Sequence, residues 1–104
     1  MTAHEIGLPG EMVRQFCARW KVTEMAAFGS VVRGSLRPDS DLDLLVTFAD
    51  DAEWSLLDLE RMREELGQHV GRPVDLMTRR GVERSRNPII RDEILCAAEI
   101  VHAT

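Results

Sequence analysis

The chain has 104 residues, 18 acidic against 13 basic side chains and a net charge of −5, a size that holds one domain over 1–104. A composition 44% hydrophobic and 30% charged fits a globular protein and excludes a disordered tail, while the acidic balance argues against stable nucleic-acid binding, which Lys and Arg drive by neutralising phosphates. Cys17 and Cys96 are too few for a disulfide framework and lack metal-ligand spacing, MTAHEIGLPG has no leader pattern, and no apolar run approaches the ~20 residues of a membrane span, so the expectation is a cytoplasmic domain with free thiols and no membrane contact.

Residues 9–21 read as a helix, with Pro9 in its first turn and Met12, Val13, Phe16, Cys17 and Trp20 recurring at helical spacing. Residues 23–28 (TEMAAF) read as a short strand running into Gly29-Ser30, and 30–37 as a short helix ended near Gly34. DLDLLVTF over 41–48 reads as a strand. Ser55 and Asp58 suggest a capping-box start for a helix over 55–70, whose apolar face is Leu56, Leu59, Met62, Leu66 and Val70 and which Gly71 ends. VDLMT over 74–78 is a further strand. The last helix is expected over 88–102, with Asn87 as its N-cap, Pro88 in its first turn and an apolar stripe of Ile90, Ile94, Ala97 and Val101. The order α-β-(α)-β-α-β-α predicts an α/β (α+β) two-layer sandwich, a short mixed sheet covered by helices.

The chemistry-bearing residues stand at strand ends. On a strand Asp41 and Asp43 share one face, while Leu42, Leu44 and Val46 share the other, where helices can cover them. Val74-Asp75-Leu76 repeats that grammar. If the two strands pair with these faces aligned, three carboxylates converge. Two of them ~5 Å apart repel by roughly 3 kcal/mol at an effective dielectric of ~20. Either one acid holds its proton or a divalent cation binds, and oxygen-only ligands favour Mg2+ or Mn2+. Taken singly, an Asp-x-Asp at a strand start is also ordinary turn chemistry.

Phe28-Gly29-Ser30 adds a second element. A strand that stops at Gly-Ser and turns into a helix presents backbone N–H groups to an anion, although a plain capped turn has the same sequence. Arg33 and Arg37 follow within two turns.

Taken together, Gly29-Ser30, then Asp41-Leu42-Asp43, then Asp75 resembles the signature of the nucleotidyltransferases of the DNA polymerase β superfamily. The fuller string FGSVVRGSLRPDSDLDLLV is similar to the minimal nucleotidyltransferase (MNT) domains, small antitoxin-type proteins encoded beside HEPN-domain toxins. NPIIRDEILCAAEIVHA looks like that family's last helix, and Val31 stands where many relatives carry a basic residue. The resemblance implies a polymerase β palm-like fold and two-metal nucleotidyl transfer. Asp41, Asp43 and Asp75 would hold two Mg2+ ions, and Gly29, Ser30 and Arg33 would bind the phosphates of ATP. It further implies an antitoxin that adenylylates (AMPylates) a tyrosine hydroxyl of a cognate HEPN ribonuclease toxin, with which it forms a hetero-oligomer. The same fold masking the toxin by direct binding is the alternative. A small-molecule nucleotidyltransferase is disfavoured, because no second domain is available to close over the acceptor.

The chain has no tyrosine, so a tyrosyl acceptor must belong to another molecule. The acidic side chains crowd into 39–65, ten against two bases. The segment 79–91 reverses this with Arg79, Arg80, Arg84, Arg86 and Arg91 against Glu83, which makes it and the final helix the candidate docking surface. His4, His69 and His102 read as surface residues, Trp20 and Trp54 as packed under helices, and Cys17 and Cys96 as lying on apolar faces.

Overall fold

The computed structural model describes residues 2–29 and 41–103. The short helix expected over 30–37, with Ser30 and Arg33, lies outside the described residues. A 3-10 turn at His4–Ile6 leads into α1 (Gly10–Trp20) and β1 (Val22–Phe28); β2 (Leu42–Phe48), α2 (Leu56–Val70), β3 (Val74–Thr78), α3 (Arg79–Glu83), α4 (Pro88–Ala97) and β4 (Glu99–Ala103) follow. These strands form a mixed sheet of order β3-β2-β1-β4, with β1 antiparallel to β2 and β4, and β2 parallel to β3.

Alternation along the strands separates two apolar clusters. Met25, Ala27, Leu42, Leu44 and Val46 pack with Val13, Phe16 and Cys17 of α1 and Met62 and Leu66 of α2. Full burial of each Val, Leu, Met or Phe side chain among them contributes about 1.5–3 kcal/mol. The intervening residues Ala26, Phe28 and Leu45 form a smaller cluster with Val82 of α3, against which Met77, Ile94 and Leu95 pack. A register shift between Val22 and Glu24 turns Val22 to the larger cluster.

The helix ends follow their local chemistry. Ser55 Oγ accepts from the Asp58 N–H at 3.2 Å and Asp58 Oδ2 accepts from the Ser55 N–H at 3.0 Å, a complete capping box. Gly71, at φ +76°, closes α2 in the left-handed region. Asn87 Oδ1 accepts from the Ile89 N–H at 3.1 Å at the start of α4. Trp20 and Trp54 meet edge to face at 5.1 Å, and Trp54 Nε1–H donates to the Trp20 carbonyl at 2.9 Å.

Several expectations are corrected. The final helix ends at Ala97, and residues 99–103 form β4 on the outer edge of β1. Ile100 and Val101 are β-branched and suit a strand, and pairing there satisfies backbone groups that β1 would otherwise leave open. The expected stripe therefore splits. Ile94 packs on the smaller cluster, Val101 packs on the larger from β4, and Ala97 is exposed. The Ile90 side chain lies outside the described residues. Leu56 is 82% exposed, because Trp54, just ahead of α2, packs against the core at that end. Cys17 is buried and burial pushes its thiol up to about 11, whereas Cys96 is exposed rather than on an apolar face. His102 is half-buried on β4, not a surface residue. The short helix α3 was not foreseen. No helix among the described residues is long and apolar enough to cross a membrane.

Candidate functional site

β2 opens with an acid just before it and another inside it. Asp41 precedes the strand and is exposed, and Asp43 is half-buried as its second residue. Leu42 and Leu44 have no solvent exposure, so their burial beneath the helices fixes the strand's facing and turns Asp43 to the opposite side. Val74 fixes β3 in the same way, and Asp75 is exposed. The parallel register sets Asp43 beside Asp75 and Leu42 beside Val74. Partners on neighbouring strands stand about 5 Å apart, so these two carboxyl-bearing residues share one face at the start of both strands.

β1 brings its C-terminal end to the same place, since Phe28 pairs with Asp43. Gly29 follows at φ +73°, a conformation L side chains rarely adopt. A Cβ built there would lie 3.3 Å from the Asp43 Cγ and closer still to its Oδ2. The Asp43 carboxylate therefore lies against the Gly29 backbone, and only glycine leaves room for it.

Among the described residues no three His, Cys, Asp or Glu side chains come together as a metal-holding group. The backbone register aligns Asp43 with Asp75, but the side chains of Asp41, Asp43 and Asp75 do not close into a ligand cage. The donor chemistry nonetheless suits a hard divalent cation, since all three are carboxylates. Sequence reasoning missed one cation near this set. The Arg63 guanidinium on α2 is held above its usual value first by a hydrogen bond to Glu60 at 2.6 Å, with smaller contributions from Glu64 and Asp75. Helical spacing placed Arg63 on α2 but could not show that α2 crosses close to β3.

Beyond Asp75 on the same face of β3 stands Met77, and α3 begins at once. Thr78 Oγ1 caps it by accepting from the Gly81 N–H at 3.0 Å. Arg79 reaches across to Glu24 of β1 at 3.6 Å and to Glu83 at 3.0 Å, bracing α3 over this face of the sheet.

The nucleotidyltransferase domain family matches residues 10–97. The protein adenylyltransferase MntA of Thermococcus cleftensis is 36% identical over 77 residues, which cover 74% of this chain and 68% of the relative. A solved structure of a candidate minimal nucleotidyltransferase is 39% identical with a TM-score of 0.66, over 86% of this chain and 85% of the other. A chain in the solved complex of a tri-AMPylated Shewanella oneidensis HEPN toxin with an MNT antitoxin gives a TM-score of 0.63 at 16% identity, a likeness of fold alone over 100% of this chain and 74% of the matched one.

Proposed function

Because this chain belongs to the nucleotidyltransferase domain family, we propose that it is an antitoxin that transfers AMP from ATP to a tyrosine hydroxyl of a cognate HEPN ribonuclease toxin. The observation that carries this reading is the row at the head of the sheet, where Asp43 and Asp75 stand in register and the Asp43 carboxylate rests on Gly29. The names of the similar adenylyltransferase and of the AMPylated toxin complex support the same reading.

In this mechanism Asp41, Asp43 and Asp75 would hold two Mg2+ ions (or Mn2+), their carboxylates closing on the ions as these bind. Such ions, when bound, supply positive charge that offsets the negative charge developing on the attacking and leaving oxygens. The Gly29 and Ser30 backbone N–H groups and the Ser30 hydroxyl bind the β- and γ-phosphates, with Arg33 beside them. Gly29 does two things here, admitting both the phosphate and the Asp43 carboxylate to the backbone. Asp75, exposed on the outer strand, faces the side from which a macromolecular acceptor can approach. The tyrosine oxygen bonds to the α-phosphorus in line as the bond to pyrophosphate breaks, pyrophosphate leaves, and the phenolic proton passes to solvent water. The acceptor is supplied in trans, because the chain has no tyrosine. Free thiols and a reaction that would consume ATP both support a cytoplasmic location.

Intact-mass spectrometry of the cognate HEPN protein, incubated with this chain, ATP and Mg2+, tests the proposal. One or more AMP additions are expected, and none with Asp41→Ala/Asp43→Ala. A stable complex with no mass gain would replace it with neutralisation by contact.

A further inference from the structure

The side of the sheet covered by α3 and α4 carries features that nucleotide chemistry does not use. Met77 lies two residues past Asp75, ~7 Å along the strand on the same face. A cavity of about 300 Å³ opens there between β3, α3 and α4, lined by Met77, Val82, Ser85, Arg91 and Ile94 among others.

The basic segment supplies Gly81, Val82, Ser85 and Arg91 to the cavity wall, and the structure sorts its arginines. Arg79 is committed to Glu24 and Glu83, and Arg91 contacts Asp92 at 3.6 Å. Arg80, Arg84 and Arg86 are exposed and make no ion pair among the described residues. Arg80 and Arg84 are one helical turn apart, the Arg84 N–H donating to the Arg80 carbonyl. Ile89 follows, 77% exposed. Within 79–91, three guanidinium groups with no ion pair among the described residues stand together on a chain of net charge −5.

This combination selects for a protein surface. Guanidinium groups attract and orient carboxylates, while an apolar cavity beside them accepts a side chain that a phosphate backbone does not have. A single-stranded nucleic acid would also gain from stacking surfaces, and 79–91 contains no aromatic residue. The acid-rich stretch 39–65 would repel its phosphates. We infer that Arg80, Arg84 and Arg86, together with the cavity beside Met77 on the Asp75 face of β3, form the docking site for an acidic surface of the protein acceptor, one apolar side chain of which enters the cavity. This inference rests on the adenylyl-transfer reading, and it explains how the domain presents an acceptor hydroxyl to Asp75.

The test measures the affinity of the full chain for the cognate HEPN protein by calorimetry at low and at physiological salt, with AMP transfer and binding of a fluorescent ATP analogue read in parallel. Arg80→Glu/Arg84→Glu/Arg86→Glu is expected to weaken the complex by about tenfold or more and to flatten its salt dependence. Analogue binding and the thermal midpoint should stay unchanged. Ser85→Phe, which fills the cavity without altering charge, should weaken the complex while keeping its salt dependence. Wild-type affinity in both variants would overturn the inference, as would an absence of any complex with the wild-type chain. An arginine-dependent complex with a mixed-sequence single-stranded RNA, alongside unchanged HEPN affinity, would overturn it in favour of nucleic acid. Arginine-dependent binding without AMP transfer would leave the docking site standing and remove the catalytic reading, which separates the two failures.

Discussion

Replacing Gly29 by alanine isolates the contact on which the proposed site depends. Gly29 sits at φ +73°, and an added Cβ would press on the Asp43 carboxylate. Gly71 sits at φ +76° with nothing within 4 Å of the same position, so Gly71→Ala carries the backbone strain alone. An L side chain in the left-handed region costs roughly 1–2 kcal/mol, and each kcal/mol lowers the melting point of a domain of this size by about 4–8 °C. Both variants should therefore melt several degrees early, followed by the fluorescence of the Trp20–Trp54 pair. Only Gly29→Ala must also displace Asp43 or move the strand end. A shift of ~1 Å at a reacting centre can cost about 100-fold, so Gly29→Ala should lose about that much AMP transfer while Gly71→Ala keeps its rate. Equal loss in both variants would trace the effect to instability. Wild-type transfer by Gly29→Ala would remove Asp43 from the site.

Three further outcomes are expected. Ser55→Ala breaks the capping box and should cost about 1 kcal/mol, read as a lower urea midpoint. The Asp58 carboxyl is held below its ordinary value by the Ser55 N–H and hydroxyl, so the cap's contribution is present at neutral pH and fades as pH falls below the ordinary 3.8. A maleimide should modify Cys96 rapidly in the folded chain and Cys17 only on unfolding, mapped by peptide mass. Cys17 is favoured in its neutral form when folded, so its contribution to stability is full below pH 9 and is lost as pH rises through about 11. Cys17→Ala should remove that alkaline slope, and an unchanged slope would assign it to another group.

Periodicity and capping made most of the fold legible. Leu42, Leu44 and Val46 alternate because one sheet face is covered, and Ser55, Asp58 and Gly71 bracket α2 because its backbone ends need partners. The same reasoning fixed the shared face of Asp43 and Asp75, which strand parity alone dictates once their apolar neighbours are buried. It failed where local spacing fits two structures. Ile94, Ala97 and Val101 match a helix, yet Val101 belongs to a strand whose partner, β1, lies more than 70 residues earlier in the chain. Leu56 matches the helix period but loses its core place to Trp54. Arg63 near Asp75 and the cavity beside Met77 depend on how elements cross, which no window of residues records.

On the proposed reading the two faces of the sheet divide stability from function, and paired truncations should show it. Leu44 and Met62 lie in the larger cluster with no solvent exposure. Leu44→Ala should cost about 2–5 kcal/mol, a large part of the ~5–15 kcal/mol typical of a domain. Val82 belongs to the smaller cluster and lines the cavity beyond Asp75. Val82→Ala removes about two methylene equivalents, ~1.6 kcal/mol, and should leave a folded protein. Below their unfolding transitions, Leu44→Ala should transfer AMP with an unaltered KM for the protein acceptor. Val82→Ala should raise that KM while kcat and the KM for ATP stay near wild type, because it changes the wall the acceptor meets and no group that touches the nucleotide. A Val82→Ala enzyme with an unchanged acceptor KM would mean that the smaller cluster only props the sheet, and that the acceptor approaches Asp75 from another side.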